Sequence, residues 1–377
     1  MILSYVHDII ENVLISYFLR EIMPTSYEHQ ISKLLDRFNF HFTKSQVKQV
    51  IDTVARSKDD FKTDVLSVVG TNTDLQNKLN ELGLLALQLD TRQVEIFNIT
   101  QPADQVALNS LFATLQLTTE HSIVDAFPFP VENTSLLNSL QTSRVYPVLR
   151  DCVSFGGETY KRIVASVITD REIEEPVPTS HLSASGIQLQ NANTTFMMKR
   201  RVRTQLFHVI YWCENKSRLI LSVDRASMSR TACQTQLFIM RQFLMANRID
   251  HGDPINVFHA IGPMYDAADG YITKVGHVTT DSNPVRIPLK GSQKCLKQDS
   301  YHNTGETAGY VHAKFAVTKK WEFPVANTTR KIDIEVGLMG HPKMLDTSQP
   351  LTDFSVNKSS RLDDFNFAIE KVLLHLP

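Results

Sequence analysis

A chain of 377 residues exceeds what one compact core ordinarily organises, so two or three folding units are expected. Its 42% hydrophobic share against 21% charged excludes wholesale disorder, and Cys152, Cys213, Cys233 and Cys295 lie too far apart for a zinc knuckle or a disulfide scaffold. The net charge of −1 conceals a split: residues 1–194 carry 15 basic and 23 acidic groups, whereas residues 195–377 carry 24 and 17. Such asymmetry marks either a polyanion-binding face or two halves that dock on each other.

The opening, MILSYVHDIIENVLISYFLREIM, is interrupted by His7, Asp8, Glu11, Asn12, Arg20 and Glu21 and has no basic leader. It reads as an amphipathic helix with Ile2, Val6, Ile9, Ile10, Val13, Leu14 and Tyr17 on one face, which implies no membrane span and a cytoplasmic address. Ile31, Leu34, Leu35 and Phe38 mark a second helix, and Thr43-Lys-Ser-Gln46 has capping-box spacing ahead of Val47, Val50, Ile51 and Val54. Phe61–Ser67 is too short for a long helix. Thr71 or Thr73 can cap the next, which carries Leu75, Leu79 and Leu82 and ends at Gly83. Leu85, Leu87 and Leu89, then Val94 and Ile96, alternate as two strands around Asp90-Thr-Arg92. Helices followed by a hairpin over residues 43–98 resemble the winged-helix family. The resemblance implies a third helix whose Thr73, Gln76, Asn77 and Asn80 face the major groove, or a module that contacts protein partners. With seven basic and eight acidic groups in residues 41–98, it is a weak phosphate binder by itself.

Residues 101–193 are proline-punctuated, and Glu172–Asn193 is polar enough to be a linker. Boundaries are therefore expected near 100 and 193. Beyond them, Phe196–Trp212 and Leu219–Val223 read as strands joined at Glu214–Ser217. Ser227 or Ser229 can cap a helix through Ala246 that buries Leu237, Phe238, Met240 and Leu244. Short strands follow, including Tyr310–Val317 and Lys331–Leu338, and Asp363–Leu376 is a closing helix. The fold class expected is multidomain α+β: a helical domain over residues 1–100, a middle region over 101–193 and a basic α+β domain over 194–377.

The strongest electrostatic signal is Lys199-Arg200-Arg201-Val202-Arg203. On a strand, Lys199, Arg201 and Arg203 share one face and Arg200 takes the other. Arg286, Lys290, Lys294, Lys297, Lys314, Lys319 and Lys320 follow, with Tyr301, Tyr310 and Trp321 nearby, a mixture suited to single-stranded or distorted nucleic acid. Catalytic patterns are incomplete. His312-Ala-Lys314 opens an HxK(x4)D phosphodiesterase pattern but meets Lys319 where Asp is required, and His277-Val-Thr279, His181-Leu-Ser183 and Glu214-Asn-Lys216 lack suitable partners. Six histidines fall within residues 251–341 without metal-ligand spacing, and no Gly-rich phosphate loop is present. The reading is a noncatalytic nucleic-acid-binding protein that needs no cofactor, with DNA favoured over RNA. It acts as a regulator or as a subunit of a multi-component assembly, with homo-oligomerisation open. A scaffold subunit without nucleic-acid affinity is the alternative, and a metal-dependent phosphodiesterase or nuclease is the third reading.

Overall fold

The computed structural model describes residues 25–191, 194–226, 228–290, 293–325, 330–347 and 349–377; the helix expected over residues 2–17 and Ser227 lie outside them. Four helices open the described chain: α1 (Tyr27–Arg37), α2 (Phe40–Val47), α3 (Lys58–Val69) and α4 (Thr73–Ala86). Ser26, Asn39, Ser57 and Asn72 cap them, each side chain accepting from a first-turn amide that the helix leaves without a partner. Asn72 thus takes the role expected of Thr71 or Thr73. The capping box expected at Thr43 is absent, because Thr43 is buried inside α2; the box forms at Ser57 and Asp60 and extends α3 to 12 residues.

Gly83 lies inside α4, where its missing side chain admits Pro128 and Phe129; a Cβ there would stand 2.7 and 2.8 Å from their side chains. The helix consequently runs through Leu85. In place of a hairpin over residues 85–98 there is one strand, β1 (Asp90–Asn98), paired antiparallel with β5 (Arg218–Asp224) on one side and β10 (Asp353–Ser359) on the other.

The remaining elements are α5 (Pro102–Thr114), α6 (His121–Ala126), α7 (Thr134–Ser139), β2 (Val145–Phe155), β3 (Glu158–Pro176), α8 (Ala184–Asn191), β4 (Met197–Cys213), α9 (Arg230–Ala246), α10 (Ile261–Asp266), β6 (Tyr271–Thr279), β7 (Pro284–Pro288), α11 (Ser300–Thr307), β8 (Val311–Pro324), β9 (Lys331–Met339) and α12 (Leu362–Leu374). The ten strands form one antiparallel sheet in the order β2-β3-β4-β5-β1-β10-β9-β8-β6-β7, which gives a mixed α+β fold. All three expected regions contribute strands to it, and the expected boundary at residue 193 falls between β3 and β4, which pair from Lys161↔Trp212 to Pro176↔Met197.

Apolar residues cover both faces of the sheet, as an internal sheet requires. Val94, Val209, Ile220, Val336 and Val356 pack under α1–α4, α10 and α12, while Ile163, Ile210, Leu221 and Val223 pack under α5 and α9. Ser229 caps α9, whose Leu237, Met240 and Leu244 are buried; Phe238, expected beside them, is 53% exposed.

Candidate nucleic-acid interface

Residues 169–176 of β3 and 197–204 of β4 extend past the last pairs that β2 and β5 make, so among the described residues they form a two-stranded arm. The cationic tract lies on this arm. Lys199, Arg201 and Arg203 do share a face, but the register sets Glu174, Glu172 and Asp170 directly opposite them. Lys199 meets Glu174 at 3.3 Å, Arg203 meets Asp170 at 3.1 Å and, on the other face, Arg200 meets Glu175 at 3.0 Å. Arg203 also donates to the carbonyls of Asn138 and Leu140 at 2.6 and 3.2 Å. The first five residues of the segment read as a polar linker, Glu172–Pro176, belong to the acidic partner strand, so each cation of the tract stands against a carboxylate.

Thr73 and Asn77 are exposed on α4, whereas Gln76 is half-buried and donates to the Val69 carbonyl at 2.8 Å, which leaves it poorly placed to read a base edge. These residues are not joined to the arm or to the later lysines by any contact described.

Lys294 and Lys297 belong to a different grouping, built where β6, β8 and β9 end. Lys294, Lys320 and Lys331 approach the Glu322 carboxylate at 3.5, 3.9 and 3.1 Å, and Lys320 also meets Asp333 at 3.4 Å. The ammonium groups of Lys294 and Lys320 lie 5.8 and 5.9 Å from the centre of the Tyr271 ring. Lys297 and Lys314 flank Tyr265 at 4.5 and 4.3 Å. Lys290 is exposed just beyond β7. Although burial opposes it, contacts with Lys331 and Lys294 hold the Glu322 carboxyl below its ordinary range. Tyr271, Glu322, Lys331 and the nearby Phe367 were not singled out from sequence; the period of two on β8, which puts Lys320 and Glu322 on one face, was the available signal.

Two features of this region are structural. Lys319 is buried and donates to the carbonyls of Met264 and Ala267 at 2.9 and 2.8 Å and to Asp269 at 2.8 Å, so it braces α10. Beneath Lys314, the Tyr265 hydroxyl donates to Glu306 at 2.7 Å and meets His302 Nε2 at 2.8 Å, and the His277 ring lies tilted 6.2 Å from that of His302. Burial pushes both imidazoles down, with Lys314 adding to the effect and Glu306 opposing it. His277-Val-Thr279 and His312-Ala-Lys314 lie on paired strands, with His277 opposite Lys314, but His312 is exposed and His181 lies in a short 3₁₀ turn. Among the described residues, no three His, Cys, Asp or Glu side chains gather to hold a metal ion. No described helix is long and apolar enough to cross a membrane.

No known protein-family model matches the chain, and no curated protein matches it.

Proposed function

We propose that this chain binds nucleic acid, DNA ahead of RNA, as a noncatalytic regulator or a subunit of a multi-component assembly. The contact surface is the lysine–aromatic grouping around Tyr265 and Tyr271, and the basic arm is not part of it. One observation supports this choice: Lys294, Lys320 and Lys331 converge on the Glu322 and Asp333 carboxylates beside an aromatic ring, while on the arm Lys199, Arg200, Arg201 and Arg203 each stand against a carboxylate of the neighbouring strand with no such ring among their described contacts. Ammonium groups beside aromatic rings suit a phosphate backbone and its bases together. The helical layer α1–α4, with Thr73 and Asn77 exposed, is assigned to partner contact under the same reading.

The alternative, a scaffold subunit without nucleic-acid affinity, is favoured by the arm itself. Its matched charges and its two edges without strand neighbours among the described residues suit protein contact. Binding of the full chain to duplex DNA, single-stranded DNA and RNA across a salt series separates the two. The proposal expects affinity that falls linearly on a log–log plot as salt rises. Absence of binding to all three at low salt would overturn it in favour of the scaffold.

A further inference from the structure

Strand β8 runs past the start of β6: Lys320 pairs with Tyr271, and among the described residues no strand pairs with residues 321–324 on that side. Beside this free edge lies a cleft of about 400 Å³, bordered by Gly270, Tyr271, Trp321, Phe323, Phe367 and Lys331, with Glu322 at its margin. Alternation along β8 turns Trp321 and Phe323 toward α12, where Phe367 meets them edge-on at 5.5 and 5.1 Å. Lys320 and Glu322 turn the other way, and Glu322 still borders the cleft because the strand edge is open. Gly270, at φ +76°, allows the tight approach: a Cβ there would stand 2.6 Å from the Lys320 carbonyl and 2.8 Å from the Trp321 ring.

We propose that this cleft takes one nucleobase of a single-stranded segment, stacked on the aromatic wall, with its phosphate on Lys294 and Lys331. The assignment rests on the nucleic-acid reading above and names which part of the strand this face holds. Three considerations select that ligand. First, four aromatic rings in a cleft of this size offer stacking surface that every base accepts. Second, aromatic cages also bind alkylammonium groups, but here Lys294, Lys319, Lys320, Lys331 and Lys371 stand around the site against Asp269, Glu322, Asp333 and Glu335, so a cation meets net repulsion and a phosphate net attraction. Third, the free edge of four residues is too short to template an added peptide strand of ordinary length. Lys294 and Lys331 are 61% and 60% exposed, free to swing from Glu322 to a phosphate at little cost, since exposed pairs of this kind are weak.

The test uses the fluorescence of the full chain. Of its two tryptophans, Trp212 is fully buried in the sheet, so a change on ligand addition is assigned to Trp321 by its loss in Trp321→Phe. The probes are thymidine monophosphate, thymidine, inorganic phosphate, a short oligodeoxythymidylate and a polyglutamate peptide. Saturable quenching is expected with the monophosphate and, at lower concentration, with the oligonucleotide. Apparent affinity falls about tenfold in Lys331→Glu, whose unchanged circular dichroism at the assay temperature shows that the variant is folded. Equal quenching by inorganic phosphate or by polyglutamate overturns the assignment, as does no quenching at all. If the full chain binds oligonucleotide in the salt series while Trp321 stays silent, the cleft is refuted and the wider face is not. If neither responds, both fail.

Discussion

Glu95 sits in the middle of the sheet on β1, 4% exposed, with Arg241 of α9 at 3.1 Å. Burial, reinforced by the Asp353 carboxylate and opposed by Arg241, pushes its carboxyl up to about 7. The folded chain therefore holds a proton there between about pH 4.5 and 7 that the unfolded chain has released, so this contribution to stability is complete below that window and lost as pH rises through it. Glu95→Gln is expected to remove the effect and to stabilise the protein at pH 8 by roughly 2–3 kcal/mol relative to its own gain at pH 5, read from denaturant midpoints at the two values. His208 works in the opposite sense. Burial drives its imidazole down to about 4, with Nε2 on Gln236 at 3.0 Å and Nδ1 accepting from the Asp224 amide at 3.2 Å. Its contribution is present above about pH 6.5 and is lost as pH falls to about 4, so His208→Gln should flatten the acid limb of the same curve. Neither residue was legible as a buried group: Thr91-Arg-Gln-Val-Glu reads as a half-polar strand, and Ser222, the Phe207 carbonyl, Asp353 and Arg241, supplied from distant parts of the chain, make its burial tolerable.

Gly83 shows how a local signal is overruled at the scale of an element. Taken alone, glycine after Leu82 reads as a helix end, yet the segment around Pro128 and Phe129 fills the space above it and α4 continues. Gly83→Ala would gain about 1 kcal/mol of helix propensity. The added methyl meets Pro128 and the buried Phe129 ring below 3 Å, a clash that costs about 1–3 kcal/mol, so a net loss of thermal stability is expected. The arm teaches a related lesson. The basic tract and its alternation were readable from residues 199–203, but its neutralisation depends on which strand lies alongside, and the polar Glu172–Pro176 stretch gave no sign of strand pairing. The double exchange Glu174→Lys with Lys199→Glu should preserve the melting midpoint better than Lys199→Glu alone, because the second leaves Glu174 facing a like charge.

Across the whole molecule, the candidate residues divide according to strand order. β4 is third and β8 eighth in the sheet, so the arm and the lysine–aromatic face stand five strand spacings apart, about 24 Å. The mixed α+β class, most strands after residue 194 and the closing helix were evident from period and turn residues, because those signals are local. The placement of β1 at the centre of the sheet was not, since its partners β5 and β10 lie more than a hundred residues away in the chain. Nor was the convergence of Lys294, Lys320 and Lys331 on Glu322, which requires β8 and β9 to pair and the chain after β7 to return beside them. The central claim is that lysines beside aromatic rings, rather than the more conspicuous cationic tract, attract nucleic acid. Its most direct test compares the salt dependence of single-stranded DNA binding for two variants of the full chain. With Lys199, Arg200, Arg201 and Arg203 all changed to Ala, affinity should stay within about twofold; with Lys294→Glu and Lys331→Glu it should fall by about tenfold or more, with a log–log salt slope shallower by about 2. The reverse pattern, loss with the arm variant and retention with the lysine pair, would contradict the account.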